Sequence, residues 1–254
     1  MHLKLFPEYP KSLIVTLLAS MTALVCVATI LFVLYIPATG GYFNLGEAII
    51  YIAALLFGPV IGGFAGGVGA AIADLIVAPI YAPGTLVIKF IEGFIIGLLA
   101  YNINPRVNKK LWRYLGVIIG IIVSLVIGLI GTFFLSEEWE IGLFNLGTIT
   151  ISISSLIWII IGVVAGILIV IGSLKFSIYT GFFILSILIG GLVIVFGYFL
   201  YEWLLYGYAA LIEIPLNIGQ VIIGLIISVP ISKTIKRSIP SLADVHRKDE
   251  KYNQ

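Results

Sequence analysis

Residues 81–97 read YAPGTLVIKFIEGFIIG, an apolar run that carries Lys89 and Glu92 three positions apart. The Pro-Gly turn and the Leu, Val, Ile and Phe that follow suit the beginning of a membrane helix. A charge at the centre of such a helix costs roughly 2.5–3.5 kcal/mol on insertion scales. Two charges within one turn therefore call for a polar setting at lipid depth.

The rest of the chain is consistent with a membrane protein. Of its 254 residues, 61% are hydrophobic and 10% charged, against about 25% charged in soluble domains, and the mean hydropathy is +1.21. Apolar segments fall at about 12–36, 47–61, 64–80, 85–101, 114–135, 148–172, 177–200 and 213–232. Most are apolar all round, as lipid requires. The expectation is an all-α, polytopic helix bundle of about eight spans. It forms one membrane domain over 1–236, with a basic cytoplasmic tail at 237–254. Segments two to four are short, about 22–26 Å at ~1.5 Å per residue against a ~30 Å hydrocarbon core. Lys4 and Lys11 precede a charge-free run over 12–36, longer than the ~7–15 residues of a signal-peptide core, so it reads as a retained first helix. A single cysteine, Cys26, excludes an internal disulfide and a multi-cysteine metal site, and reads as a small apolar side chain.

Orientation follows from the basic residues. With both termini in the cytoplasm, Lys4, Lys11, Arg106, Lys109, Lys110, Arg113, Lys175, Lys233, Lys236, Arg237, Arg247, Lys248 and Lys251 all fall inside, the positive-inside pattern. Outer segments carry Glu137, Glu138 and Glu140 in SEEWE, and Glu202 near the end of the seventh segment. Lys89 is the one basic residue left over.

Polar groups within the apolar segments gather toward the outer half. Asn44 and Glu47 open segment two, Asp74 lies late in segment three, and Lys89 and Glu92 lie early in segment four. Tyr198 and Glu202 close segment seven. Glu213, Asn217 and Gln220 open segment eight on one helical face. Lys89 with Glu92, or with Asp74, reads as a structural ion pair; Pro215 reads as a helix-start proline; Glu202 reads equally as a solvated loop acid. Their convergence on one depth favours a polar pocket open to the outside, because intramembrane ionisable groups usually face a cavity or pathway.

In GPVIGGFAGGVGAA (58–71), Gly58, Gly62 and Gly66 recur every four residues, as do Gly63 and Gly67. That is small-residue helix packing. No P-loop pattern, H-E-x-x-H or G-x-S-x-G occurs, and His2 and His246 lie in the tails. No enzymatic activity is expected. Ala19 and Ala23 form a further A-x-x-x-A pair in the first segment, which by itself suits packing inside the chain.

Three stretches, GYFNLGEAIIYIAALLFGPVIGGFAGGVGAAIADL, YAPGTLVIKFIEGFIIGLLA and GYFLYEW with EIPLNIGQVIIGLIISVPI, together resemble the S components of energy-coupling factor (ECF) vitamin transporters. The resemblance covers roughly 41–102 and 197–232, with Ala19 and Ala23 as an added point. It implies capture of a vitamin or related micronutrient from outside, with delivery driven by an ECF transmembrane coupling subunit and two ABC-type ATPases. ATP would be used by those partners, and no cofactor is bound by this chain. It further implies a substrate pocket at Tyr42, Asn44, Lys89, Glu92, Tyr198, Glu213, Asn217 and Gln220, with coupling-subunit docking at Ala19 and Ala23.

The chain departs from the family in two added helices within about 103–176, segments 114–135 and 148–172. Glu47 stands where Asp is more usual, and Phe90 where Gly is common. A second FNLG at 144–147 echoes 43–46 and reads as coincidence. Acid and amide groups around a lysine suit a heteroaromatic ligand with several donors and acceptors, stacked on Tyr42, Tyr81 or Tyr198. The alternative is a stand-alone proton-coupled transporter relaying through Asp74, Glu92 and Glu213, although no clear inverted repeat is present.

Overall fold

The computed structural model describes residues 9–36, 39–102, 109–134, 138–143, 147–152, 154–175 and 177–239. Lys4, Arg106, Glu137, most of the second FNLG and the tail beyond Ile239 lie outside them. Among the described residues the chain is helical, with two small β-hairpins, as the composition required. Its α-helices are α1 (Lys11–Leu31), α2 (Gly46–Phe57), α3 (Pro59–Val77), α4 (Ala82–Asn102), α5 (Lys109–Phe134), α6 (Ser155–Lys175), α7 (Ile178–Tyr206) and α8 (Glu213–Ser238). Six apolar helical stretches are long enough to cross a bilayer, the last, Ile178 to Ser238, comprising α7 and α8 with a 3-10 turn at Gly207–Ile212 between them. The chain is an integral membrane protein. At 12 residues, α2 spans only about 18 Å and is too short to cross a ~30 Å core alone.

Two compact units result: residues 1–104 with 182–254, and residues 105–181. In the first, α2 is the innermost element, buried at every position except Ile49. Ile50, Tyr51, Ala54 and Leu55 of α2 form one core with Val25 of α1, Ala65 of α3, Ile96 of α4, Ile187 of α7 and Val221 of α8. The sequence reading carried segment two through residue 61. The helix instead stops at Phe57, because Gly58 adopts φ +86°, a left-handed conformation natural only to glycine. Pro59 then opens α3 at a position where its missing N–H is no loss.

The glycine ladder of α3 sets the height of α4. A Cβ on Gly66 would lie 2.8 Å from the Lys89 carbonyl oxygen, and one on Gly62 would lie 2.6 Å from the Ala54 Cα. Backbone meets backbone there, as the four-residue spacing predicted. The second unit is simpler: α5 and α6 pack against each other, with Gly120 and Gly166 each facing the other's backbone. An antiparallel hairpin, β3 (Glu138–Leu143) with β4 (Gly147–Ser152), joins them. The expected helix from 148 thus begins later, at Ser155. TITIS (148–152) is β-branched and alternates in steps of two, and that pattern suits a strand.

Gly66→Leu should lower the melting temperature of the purified protein, reflecting overpacking of about 1–3 kcal/mol or more. Gly219→Ala, whose added Cβ would meet only a Phe43 ring carbon at 3.8 Å, should leave it unchanged or higher. Thermal unfolding in detergent, followed by circular dichroism, checks both.

Candidate functional site

Helices α1, α3 and α7 end where α2, α4 and α8 begin, and the polar side chains collect at that end of the first unit. Lys11 starts α1, and Lys233, Lys236 and Arg237 finish α8, all at the opposite end. The positive-inside rule predicts that the polar end faces outward. A partly open cavity lies there. Tyr42, Asn44, Lys89, Tyr198, Glu213, Asn217 and Gln220 all line it. Of the expected pocket residues, Glu92 alone is absent from the lining.

The reason lies in how the two charges of α4 are matched. Lys89 forms an ion pair with Glu47 of α2, neither with Glu92 nor with Asp74. Glu92 accepts a hydrogen bond from the Tyr51 hydroxyl at 2.8 Å. Residues 89 and 92 lie on the α4 face turned to α2, where 47 and 51, one turn apart, meet them. Two polar rungs therefore join α2 to α4: the upper lines the cavity through Lys89, and the lower, with Glu92 fully buried, closes the space beneath it. Glu47 sits in the first turn of α2, where the helix dipole favours a carboxylate.

The wall above this pair is built by the segment joining α1 to α2. Strands β1 (Leu34–Tyr35) and β2 (Tyr42–Phe43) pair antiparallel, and Gly40, at φ +69°, turns the chain between them. The Tyr42 hydroxyl donates to Asp74 of α3. Burial first, then the Asp74 carboxylate, push the Tyr42 phenol far above its ordinary pKa. Thr39 donates to Glu213 of α8 and accepts from the Gly41 N–H at 3.1 Å. The Asn44 N–H donates to Gln220 at 3.2 Å, and Gln220 donates onward to Asn217 at 3.1 Å. The Asn44 side chain accepts from the Gly46 N–H at 2.9 Å, tying down the start of α2. On the far wall, Thr85 and the Tyr198 hydroxyl share a hydrogen bond of 2.7 Å.

Several lining residues were not among the expected pocket residues. Asp74 and Glu202 were visible as intramembrane acids, and Glu202 is a buried wall residue of α7 and not a solvated one. Tyr81, noted only as a stacking ring, also lines the cavity, as do Thr29 and Thr85. A threonine in an apolar helix gives no signal by itself, so these two were illegible. Ala19 and Ala23 are exposed on α1, turned away from the unit's core, with Ser12, Thr16 and Ser20 exposed nearby. Pro215 falls in the first turn of α8, as a helix-start proline should.

The protein-family model described as ECF-type riboflavin transporter, S component, matches residues 11–175, which takes in α1 to α6. A curated protein of Pyrococcus woesei, named only as an uncharacterized protein in gap 3'region, is 55% identical over 69 residues. That is 27% of this chain and 47% of the relative, so the match spans about half of the relative's length.

Removing one member of the buried ion pair should be far worse than removing both. Glu47→Gln, which strands the Lys89 ammonium, should destabilise the fold by about 3–5 kcal/mol. The double variant Glu47→Gln with Lys89→Met should recover most of that loss. Melting temperatures of the two singles and the double, read as a double-mutant cycle, measure the coupling.

Proposed function

The chain belongs to the family of ECF-type riboflavin transporter S components, and from that premise we propose that it is the substrate-capturing subunit of a micronutrient importer. It takes a vitamin or vitamin-like heteroaromatic molecule from outside and passes it inward with an ECF coupling subunit and two ABC-type ATPases. The observation that carries this reading is the cavity at the outward end, where α1, α3, α4, α7, α8 and the α1–α2 segment all contribute lining groups. Rings at Tyr42, Tyr81 and Tyr198 supply flat apolar surface, and Asn44, Asn217 and Gln220 supply directional donors and acceptors, the mixture usual in small-molecule sites.

Riboflavin, named in the family's description, is the first ligand to try. Lys89 and Asn217 contact it in this reading, while Glu92 acts from beneath by holding Tyr51 and α2 in place. The exposed Ala19 and Ala23 of α1 support docking of the coupling subunit, since small residues let a second helix approach closely. ATP is consumed by the partner ATPases.

Asn217→Ala should weaken ligand binding by about tenfold or more, the loss of one buried hydrogen-bonding partner, with the melting temperature of the unliganded protein little changed. Titration calorimetry on the purified chain reads the first quantity and thermal unfolding the second. Ala19→Leu with Ala23→Leu should leave ligand affinity intact but cut uptake in cells by about tenfold or more, by blocking close helix approach. Uptake should vanish when the partner ATPases are deleted. Uptake that survives that deletion and collapses with the proton gradient would replace this reading with the proton-coupled transporter.

A further inference from the structure

The end of the first unit opposite the cavity carries a second group of buried polar atoms. On α8, Ser228, Ser232 and Lys236 recur every four residues and so share one helical face. Ser228 and Ser232 are 0% exposed, and neither hydroxyl has a hydrogen-bond partner. A hydroxyl on a helix commonly donates to the carbonyl one turn back, as Ser186 of α7 does to Phe182 at 2.7 Å and Thr234 of α8 to Pro230 at 3.0 Å. Ser228 and Ser232 leave that outlet unused.

Lys236 is the sharper case. As a residue it is partly exposed, yet its Nζ is buried without a hydrogen-bond partner, 4.4 Å from the centroid of the Phe183 ring of α7. A lysine near the end of a membrane helix ordinarily lays its stem on apolar surface and keeps its ammonium in water. Here the head is turned in. No carboxylate answers it, because the described acids of this unit are Glu47, Asp74, Glu92, Glu202 and Glu213, all at the cavity or in the two rungs between α2 and α4. The charged residues described at the opposite end are Lys11, Lys233, Lys236 and Arg237, all of them cations.

We propose that the last turns of α8, beside Phe183, hold the headgroup of one anionic phospholipid, with Lys236 as the counter-charge of its phosphate and Ser232 as a hydroxyl donor to the same group. Each unpartnered atom here can donate, three times from the ammonium and once from each hydroxyl, and the oxygens of a phosphate diester accept. The bilayer is the nearest source of such an anion, since α8 ends a membrane-crossing stretch at the depth where headgroups lie. Ile231 and Ile239, before and after Lys236 in the chain, are 41% and 46% exposed and offer apolar surface to acyl chains. Lys233 and Arg237 add attraction to an anionic leaflet. The site is separate from the cavity and does not depend on what the cavity captures.

The test places the purified full chain in nanodiscs of phosphatidylcholine, with or without phosphatidylglycerol, and reads the melting temperature, while native mass spectrometry compares the lipids retained. Phosphatidylglycerol should raise the melting temperature by about 2 °C or more and be retained about tenfold in preference to phosphatidylcholine. Lys236→Met should abolish both effects. In phosphatidylcholine alone that variant should melt no lower than the unmodified protein, because it removes a buried ammonium that has no anion. Lys236→Arg should keep the preference. Inorganic phosphate at matched ionic strength should give no shift, and a shift equal to that of phosphatidylglycerol would overturn the lipid assignment. Equal retention of the two lipids by the unmodified protein would overturn the site, as would a preference that survives in Lys236→Met. A Lys236→Met protein that melts lower in both lipids would overturn it too, by making the lysine a structural clamp on Phe183 or the partner of Asp244, Asp249 or Glu250 in the tail.

Discussion

The ion pair between Lys89 and Glu47 is the contact on which the outward end of the molecule depends. Both residues are almost wholly buried, at 3% and 1% exposure, where an isolated charge is costly and a matched one tolerable. The pair joins the outer half of α4 to the first turn of α2 and so fixes the rotation of both helices about their axes. Tyr51 and Glu92 repeat the link one turn deeper. A helix as short as α2 has little hold on lipid. It is kept in register by these two rungs and by apolar contact on nearly every side. Close approach of α3 to α4 through glycine is the other condition, because Gly66 lies directly against the Lys89 backbone. A bulkier residue there would displace the lysine from its partner.

The features legible in the sequence were those governed by solvent and by local rules. Lipid as solvent made the chain helical and apolar all round. Four-residue glycine spacing announced a close helix contact. The convergence of Asn44, Lys89, Tyr198, Glu213, Asn217 and Gln220 was legible too, since a polar group at lipid depth must point at something other than lipid. The partner choice within the cluster was not. Lys89 has acids within reach on its own helix, on α3 and on α2, and only the rotation of packed helices decides among them. Thr29 and Thr85 were hidden because threonine is unremarkable in an apolar helix. The start of α6 was misplaced because hydropathy averages over TITIS and loses its two-residue alternation.

Hydrogen bonding at the outward end has a consequence for how any ligand is selected. The α1–α2 segment is held down by bonds from Thr39, Tyr42 and Asn44, and every acceptor, Glu213, Asp74 and Gln220, is itself a lining residue. A ligand that inserts among these groups exchanges internal hydrogen bonds for its own. The net gain from a matched exchange is modest, about 0.5–1.5 kcal/mol per bond, whereas a buried group left without a partner loses about 1–3 kcal/mol. Such a site gains little from a ligand that is merely apolar and the right size. It responds steeply to one that lacks a donor at a required point. Discrimination by stranded polar groups is stronger than discrimination by volume, and under the proposed capture role a wall fastened by the same side chains that line the cavity would apply that rule where the ligand enters.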